Sequence, residues 1–307
     1  EPLDSKSQIE RPPAARREKH MTELIVPRRS ALFMPGANLR AMDKARVLAC
    51  DVVIFDLEDA VSVNAKEIAR QQVVAQTSKG GYARRELIIR CNGIETPWFQ
   101  DDVRLCAAVD NVDGLLFPKI ETEEDVRRIR SEVDAINPGL PIWIMVETPR
   151  GVLNASSLAQ LDVDVLVMGT SDLIKETRGR HTSDRRGLIY ALSHCVLSAR
   201  ACGKIVLDGV HLEFQNLKDF EEICRQGRDL GFDGKTLIHP SQIALANDIF
   251  GIESSDIQNA EKVVSAWSDA KAKGEGVAVL DGTLVENLHY AEAQRVLAFA
   301  KALKNDG

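Results

Sequence analysis

Two stretches of the sequence, PIWIMVETPRG at residues 141–151 and VDVLVMGTSDL at residues 163–173, decide the class of fold. In each, a short apolar run rich in β-branched residues stops at or just before a carboxylate, Glu147 in the first and Asp172 in the second. Strands buried on both faces have such continuous apolar runs, which are typical of a parallel sheet. In a closed barrel of parallel strands, catalytic residues lie at the carboxyl ends of the strands. The two stretches therefore predict a pair of acids at one rim, suited to a hard metal ion or to acid–base chemistry.

The same alternation of strands and helices extends over most of the chain. Helical spacing and good helix formers occur at residues 38–49, 65–76, 123–135, 184–202 and 216–230. Strand-like runs are predicted at residues 31–34, 52–55, 87–89, 115–117, 142–146, 163–168, 205–207 and 235–238. Eight alternations favour an α/β fold, the (β/α)8 TIM barrel. A doubly wound open sheet is the alternative, and it is weakened because no Gly-x-Gly-x-x-Gly or P-loop pattern follows any strand.

The two ends of the chain have different patterns. Residues 1–26 are polar, charged and contain proline, so we predict a disordered segment before a barrel at residues 27–250. Residues 251–307 predict a C-terminal helical extension, with helices at 254–274 and 288–303 and a short strand at 277–281. Asp281-Gly282 is a turn signal within this extension.

Composition excludes several classes of function. The chain has 307 residues, a net charge of −7 and 44% hydrophobic residues, as expected for a soluble globular protein. An acidic protein is a poor partner for nucleic acid, and no apolar run approaches the roughly 20 residues of a membrane span. The six cysteines include no Cys-x-x-Cys pair, so we expect reduced core thiols and a cytoplasmic protein.

Further charged side chains follow the predicted strands near the two acids. Asp56, Glu58 and Asp59 lie just after the second strand, and Arg90 ends the third. A solvated acidic turn is one interpretation; the other is that these acids hold metal-bound water or orient Arg90. The guanidinium of Arg90 suits either an ion pair with these acids or a bidentate grip on a substrate carboxylate.

Three other strand-end features have two interpretations each. Lys119 is a Schiff-base candidate or, more simply, an ion-paired lysine. His239 is a base, a ligand contact or a structural histidine bonded to the backbone. A basic margin flanks the first strand and is either a solvated helix face or a phosphate-binding site near the barrel mouth. Its members are Arg28, Arg29, Arg40, Lys44 and Arg46.

Several motifs in this order resemble those of the citrate lyase β-subunit-like CoA-ester lyases of the HpcH/HpaI aldolase superfamily. The resemblance covers residues 27–305. The motifs are RSALFMPG at residues 29–36, FDLEDAV at 55–61, RCNG at 90–93, FPK at 117–119, VET at 146–148, GTSDL at 169–173 and GFDGKTLIHP at 231–240.

The resemblance implies a barrel that binds Mg²⁺ (or Mn²⁺) through Glu147 and Asp172, with Arg90 holding the oxo-acid part of the substrate. It also implies an acyl-CoA substrate, for which Arg29 and Lys44 are the predicted coenzyme A contacts. The resemblance further implies a homotrimer or homohexamer in which the C-terminal segment covers a neighbour's active site. The residues matched to substrate binding are Gly169, Thr170, Ser171, Pro118 and Lys119, besides Arg90.

One position departs from the family's pattern. Where these lyases have an acid/base Asp followed shortly by Pro, this chain has Glu286 and no following Pro. Glutamate can transfer the same proton with a longer reach, so an altered substrate or a hydrolytic reaction is possible. No histidine lies between Met21 and His181, which disfavours the superfamily's CoA-independent aldolases.

The sequence therefore predicts a Mg²⁺-dependent lyase that cleaves or forms a β-hydroxyacyl-CoA, such as malyl-CoA or citramalyl-CoA. Glu286 is the predicted proton-transfer acid, and Asp56, Glu58 and Asp59 orient metal-bound water and Arg90. Two alternatives stay open: a metal-dependent aldolase for free hydroxy-oxo acids, and a non-catalytic acyl-CoA-binding subunit.

Overall fold

Eight parallel strands close into a barrel in the computed structural model, which describes residues 25–305. The strands follow one another in sequence order, and β1 pairs with β8 to complete the ring. Their bounds are β1 Ser30–Pro35, β2 Val52–Asp56, β3 Glu86–Arg90, β4 Gly114–Phe117, β5 Ile142–Val146, β6 Val165–Met168, β7 Ile205–Asp208 and β8 Gly234–Leu237. The predicted (β/α)8 fold is confirmed. Residues 1–24 of the predicted disordered segment lie outside the described residues.

Helices join the strands on the outside of the barrel. They are α1 Leu39–Ala45, α2 Lys66–Lys79, α3 Phe99–Cys106, α4 Glu123–Asp134, α5 Pro149–Leu153, α6 Ala155–Ala159, α7 Thr170–Glu176, α8 Ile189–Ala201, α9 Leu217–Leu230 and α10 Ile243–Ile249. Helix α4 starts with a capping box, in which Thr122 accepts a hydrogen bond from the N–H of Asp125. The predicted helix at 184–202 begins only at Ile189, and α7 was not predicted at all.

Two apolar layers, one on each face of the sheet, explain why the strands have continuous apolar sequences. Alternate side chains fill the inside of the barrel, while the others pack against the helices. The inner layer includes Ile54, Ile88, Trp143 and Val167, all fully buried, and the outer layer is the larger of the two. Because both faces of the sheet are covered, each strand needs apolar residues at consecutive positions.

The amino ends of the strands are fastened by ion pairs. Both side-chain nitrogens of Arg29 that face Asp51 lie 2.8 Å from its carboxylate oxygens, and Arg28 pairs with Glu86 at 2.6 Å. These four residues come just before β1 or β2, or start β3, so they lie opposite the carboxyl ends. Contrary to the sequence prediction of a coenzyme A contact, Arg29 therefore lies outside the mouth, because its guanidinium is committed to Asp51 at the other end of the barrel.

The C-terminal extension has a small core of its own. Helix α11 Ser254–Ala272, a hairpin of β9 Ala278–Leu280 and β10 Thr283–Val285, and helix α12 Asn287–Asn305 pack together. Trp267 and Val285 are among the buried residues that they share. The predicted turn at Asp281-Gly282 closes the hairpin with positive φ at both positions, 48° and 78°, as two-residue hairpin turns require. The second strand of this hairpin was not predicted.

Within residues 25–305, no helix has both the length and the apolar character needed to cross a membrane.

Candidate active site

The mouth of the barrel is built around a buried ion pair between Arg90 and Asp56. Both residues end their strands and point inwards, so Nε and Nη2 of Arg90 each donate to a different oxygen of Asp56 at 2.7 Å. Asp56 also accepts from the backbone N–H groups of Glu58 and Ala60, at 2.8 Å and 3.0 Å. Burial alone would raise the pKa of Asp56, but the guanidinium and these hydrogen bonds outweigh it and hold the pKa below its usual range.

Aromatic and sulfur contacts support the same guanidinium. Its carbon lies 4.7 Å from the ring centre of Phe33, and Nη1 lies 3.5 Å from the sulfur of Met145. Phe33 is an inward position on β1, and the sequence interpretation overlooked it although the period of two along the strand places it there. These contacts hold the guanidinium of Arg90 in place at the end of β3.

Glu58 bridges this pair to a lysine. Its Oε1 accepts from Nζ of Lys119 at 2.8 Å, and its Oε2 lies 2.9 Å from Nη1 of Arg90. The second contact lacks hydrogen-bond alignment, so Oε2 is buried without a donor. Burial raises the pKa of Glu58 despite these cations. Asp59 lies farther out, 3.7 Å from Arg90 and with an exposed side chain.

Glu147 is the most perturbed acid of the mouth. It is 1% exposed, and its Oε1 accepts from the backbone N–H of Lys119 at 2.8 Å. Burial and the charge of Glu58 raise its pKa to about 8, against the opposing effects of Lys119 and Arg90. The charge of Asp172, a half-buried residue in the first turn of α7, acts in the same direction. The two predicted metal ligands therefore lie close enough to sense each other.

Gly169 makes room for Glu147. A Cβ at this position would lie 2.3 Å from the Cβ of Glu147 and 2.4 Å from its Oε2, too close for any side chain. Next to it, Thr170 is buried and its hydroxyl donates to the carbonyl of Val210 at 3.4 Å. Ser171 is half-buried at the start of α7. The GTSDL motif therefore provides the space for Glu147 at Gly169 and carries Asp172 in the first turn of α7.

Lys119 lies in a backbone conformation that is uncommon for its residue type. Its φ is 54°, in the left-handed region, and it follows the buried Pro118. This conformation aims its N–H at Glu147 while its ammonium pairs with Glu58. Burial opposes the charge of the ammonium, but Glu58 and Glu147 raise its pKa above the usual value. A Schiff-base lysine needs a neutral amine, so the geometry favours the ion-paired interpretation.

Two other polar residues at strand ends lie outside this cluster: Asp208, the last residue of β7, and the predicted candidate His239. The carboxylate of Asp208 points between the sheet and the helices, where it pairs with Lys235 at 2.8 Å and Arg185 at 2.7 Å. His239 is exposed, stacks on Phe214 with ring centres 4.6 Å apart, and its Nδ1 lies 2.8 Å from the hydroxyl of Ser241. Asp208 and His239 therefore have structural partners of their own.

Glu286 belongs to the extension, and Lys44 to the last turn of α1; both are exposed. The backbone N–H of Glu286 donates to the ring of His289 at 3.0 Å. Within residues 25–305, no hydrogen bond or ion pair joins either residue to the acids of the mouth. Their predicted roles stay predictions.

The carboxylates can hold a hard cation only together with water. Among the described residues, no group of three or more His, Cys, Asp or Glu side chains is arranged to hold a metal. Glu147 and Asp172 supply two carboxylates, which is what an Mg²⁺ that keeps several of its waters uses in proteins. The donor set is all oxygen, so it fits a hard cation better than zinc or copper.

Comparison with known proteins places this geometry in a family. The sequence profile described as HpcH/HpaI aldolase/citrate lyase matches residues 29–240. A (3S)-malyl-CoA thioesterase of Cereibacter sphaeroides (strain ATCC 17025) is 42% identical over 278 residues, 90% of this chain and 96% of that protein. A citrate lyase subunit β of Leuconostoc mesenteroides subsp. cremoris is 32% identical over 287 residues, covering 90% and 94%.

A solved structure adds a ligand-bound relative. CitE from Mycobacterium tuberculosis, in complex with magnesium, acetoacetate and coenzyme A, aligns with a TM-score of 0.72 at 25% identity, covering 89% of this chain and 97% of that one. The profile match takes in every strand of the barrel and every acid of the mouth. This chain belongs to the HpcH/HpaI aldolase/citrate lyase family.

Proposed function

We propose that this protein is a Mg²⁺-dependent enzyme that hydrolyses a malyl-type CoA thioester to the free hydroxy acid and coenzyme A. The main support for this proposal is that Arg90 lies in the same mouth as Glu58, Glu147 and Asp172. A hydroxy acid presents a carboxylate and a hydroxyl together, which suit an arginine and a metal held by acids. The 42% identity to a (3S)-malyl-CoA thioesterase, over nine-tenths of the chain, supports hydrolysis as the reaction.

Glu147 and Asp172 would hold the metal, and two features of the mouth favour a cation there. Oε2 of Glu58 is buried without a hydrogen-bond donor, and burial beside other acids raises the pKa of Glu147. Both features mark an excess of carboxylate over compensating donors. When bound, Mg²⁺ supplies Lewis-acid polarisation of the substrate's oxygen atoms.

Arg90 would orient the acid end of the substrate. Asp56 accepts from two of the five N–H groups of Arg90, on Nε and Nη2, which leaves N–H groups on Nη1 and Nη2 for other acceptors. A substrate carboxylate can therefore accept from Arg90 while Asp56 holds the guanidinium from behind. Lys119 holds both acids in position: its ammonium donates to Glu58, and its backbone N–H donates to Glu147.

Hydrolysis then requires a base for water. Water attacks the thioester carbonyl, its oxygen forms the new C–O bond, the C–S bond breaks, and the proton reaches the departing thiolate. The predicted acid, Glu286, is exposed on the extension. For that role it must reach a mouth, and a homotrimer or homohexamer in which the extension covers a neighbour would provide this.

Carbon–carbon cleavage is the second candidate, favoured by the family and by the same arginine and acids. In that reaction the alkoxide becomes a carbonyl, and an acid protonates the released acetyl thioester enolate. A metal-dependent aldolase for free hydroxy-oxo acids and a non-catalytic acyl-CoA-binding subunit remain as weaker alternatives.

One assay separates these candidates. The purified protein is incubated with (3S)-malyl-CoA and Mg²⁺, and the products are separated by chromatography. We expect malate and free coenzyme A, with no activity in excess EDTA. Acetyl-CoA and glyoxylate would establish the lyase reaction instead, and an unchanged substrate with measurable coenzyme A binding would favour the binding subunit.

A further inference from the structure

Lys66 is a buried cation that contacts the acidic loop of the mouth. It is the first residue of α2 and is 6% exposed. Its Nζ donates to the backbone carbonyls of Leu57 and Glu58, at 2.8 Å and 2.6 Å. Within residues 25–305, no carboxylate forms an ion pair with it. The ammonium therefore holds the loop through its backbone and not through an opposite charge.

A lysine at this position is unfavourable for the stability of the fold. Burial lowers the pKa of Lys66 against the opposing charges of Asp56 and Glu58, because an ammonium loses water that no carboxylate replaces. The first turn of a helix also favours acids over cations, since the helix dipole is positive there. A residue that departs from both preferences next to an active site indicates a use other than stability.

The loop after β2 is held from two sides, and Lys66 provides one of them. On the first side, the carboxylate of Asp56 accepts from the backbone N–H groups of Glu58 and Ala60, at 2.8 Å and 3.0 Å. On the second side, Lys66 donates to the carbonyls of Leu57 and Glu58. Glu58 therefore has both its N–H and its C=O fixed.

This fixed backbone determines where the carboxylate of Glu58 lies. Its Oε1 accepts from Nζ of Lys119 at 2.8 Å, and its Oε2 lies 2.9 Å from Nη1 of Arg90. A shift of the loop would carry the carboxylate away from both cations. A displacement of about 1 Å in a group that positions the substrate can slow an enzyme on the order of 100-fold.

The same face of α2 also contacts the loop that follows β3. Nζ of Lys66 lies 5.4 Å from the ring centre of Trp98, within the range of a cation–π contact. One turn later, Arg70 pairs with Asp102 at 2.6 Å, and the other oxygen of Asp102 accepts from the backbone and side-chain N–H groups of Asn92, at 2.8 Å and 2.6 Å. Asn92 follows the end of β3 by two residues. Helix α2 therefore links the loops after β2 and β3.

We propose that Lys66 is a positioning residue of the reaction, which acts on the substrate through Glu58 and Arg90. By holding the backbone of Glu58, it keeps that carboxylate against Arg90, so that the guanidinium stays in place for the acid end of the substrate. This inference rests on the proposed function for the identity of the substrate. A purely structural lysine would change the stability of the fold but not the recognition of that acid end.

The first test separates the acid end of the substrate from its coenzyme A part. Lys66→Met removes the ammonium but keeps a long side chain that suits a buried helix position. We expect kcat/KM for (3S)-malyl-CoA to fall at least ~10-fold, while the Kd of free coenzyme A, measured by titration calorimetry, stays at the wild-type value. The matched control is Lys79→Met, at the exposed end of the same helix, which should change neither quantity.

A double-mutant cycle tests whether Lys66 acts through Glu58. Glu58→Gln is made alone and together with Lys66→Met, and kcat/KM is measured for all four proteins. Once the carboxylate of Glu58 is gone, Lys66→Met should lower kcat/KM by less than ~3-fold, because the group that Lys66 positions is already missing. Equal effects of Lys66→Met in both backgrounds would overturn the proposal.

Lys66→Arg distinguishes a positioning role from a structural one. It keeps the positive charge and the N–H donors, so it should recover most of the kcat/KM that Lys66→Met loses. A lower melting temperature in Lys66→Met with wild-type kcat/KM would make Lys66 a purely structural residue. Lys66→Gln, which is neutral but polar, replaces Lys66→Met in each comparison if the apolar variant does not fold.

The result for Lys66 can be distinguished from a failure of the proposed function. The loss of malyl-CoA is followed by chromatography, which detects hydrolysis and carbon–carbon cleavage alike. A wild-type protein that leaves malyl-CoA unchanged would refute hydrolysis, and the ratio of the Kd values of malyl-CoA and coenzyme A then replaces kcat/KM in each comparison. A wild-type ratio in Lys66→Met would still refute the positioning role.

Discussion

At the scale of single residues, Glu147 has the environment of a ligand rather than of a structural cap. Strand-end acids often accept several backbone hydrogen bonds, which lower their pKa. Glu147 accepts only one from the described residues, from Lys119, and its pKa is raised to about 8. An isolated buried carboxylate of this kind is unfavourable unless a cation shares the site.

We therefore expect Glu147→Gln to abolish the metal-dependent reaction. Glutamine keeps the shape and the contact with Lys119 but removes the charge that would bind the cation, so kcat should fall at least ~100-fold. Titration of Mg²⁺ against activity and metal binding measures the effect. The control is Glu132→Gln, on the outer helix α4; full activity in Glu147→Gln at ordinary Mg²⁺ would exclude this residue as a ligand.

Asp56 should contribute to stability in a pH-dependent way. Its pKa is lowered in the folded protein, so its carboxylate stabilises the fold above the unfolded-state pKa of about 3.9, and this contribution is lost as the pH falls through the folded value. Asp56→Asn takes the charged, two-oxygen partner away from the buried Arg90 and leaves it only the contacts with Glu58 and Asp59, which should cost about 3 kcal/mol at pH 7.

Urea unfolding of both proteins at pH 7 and below pH 4 tests this pattern. The difference in unfolding free energy should shrink at the lower pH, where Asp56 begins to be protonated in the unfolded wild-type chain while the folded protein still holds it ionised. A difference that stays constant across this range would mean that the effect of Asp56→Asn does not arise from the lost charge.

At the scale of elements, the turn from β6 into α7 determines how the two metal-ligand candidates meet. Gly169 should not tolerate a side chain, because a Cβ there overlaps the side chain of Glu147. We expect Gly169→Ala to displace Glu147 and reduce kcat/KM by at least ~10-fold while the circular dichroism spectrum stays native.

Gly187 offers the matched control, since a Cβ added there would meet no atom within 4 Å and its φ is not in the left-handed region. Gly187→Ala should leave activity unchanged. Equal activity of Gly169→Ala and Gly187→Ala would show that the position of Glu147 is less critical than its contacts indicate.

The elements also show what the sequence could and could not predict. Strands were predictable because both faces are buried, which leaves continuous apolar runs such as IWIMV in β5. Helix α7 was missed because its seven residues are too few for a periodic pattern, and the start of α8 was misplaced because Arg185 has a positive φ. Asp56, Glu58, Arg90 and Glu147 were found because strand ends meet at one rim.

Other parts of the site depend on contacts that no local pattern encodes. The pairing of Arg29 with Asp51 joins residues 22 positions apart at the amino ends of two strands, and this removed Arg29 from the mouth. Lys119, with its left-handed backbone, contacts Glu58 and Glu147, which follow two other strands. Such relationships become visible only once the barrel is closed.

At the scale of the whole molecule, a complementation experiment can test whether the extension of one subunit serves the mouth of its neighbour. If Glu286 serves the mouth of a neighbour, two separately inactive variants, Glu147→Ala and Glu286→Gln, should complement each other. Random mixing leaves about one in four sites with both groups intact, so about a quarter of wild-type activity should return after subunit exchange.

Mass photometry and mixing of differently tagged chains confirm that subunits have exchanged. Glu286→Gln alone should retain coenzyme A and Mg²⁺ binding. Exchanged subunits that stay inactive would place Glu286 in its own barrel or outside the reaction.

The closure of the ring by β1 and β8 has a consequence for synthesis on the ribosome. The closed barrel of residues 30–237 has no free strand edge, but β1 cannot meet its second neighbour until residues 234–237 have emerged. At about 5–20 residues per second, the nascent chain carries an open apolar edge for roughly 10–40 s. The growing polypeptide, rather than the finished enzyme, is therefore the form most exposed to aggregation and most in need of a chaperone.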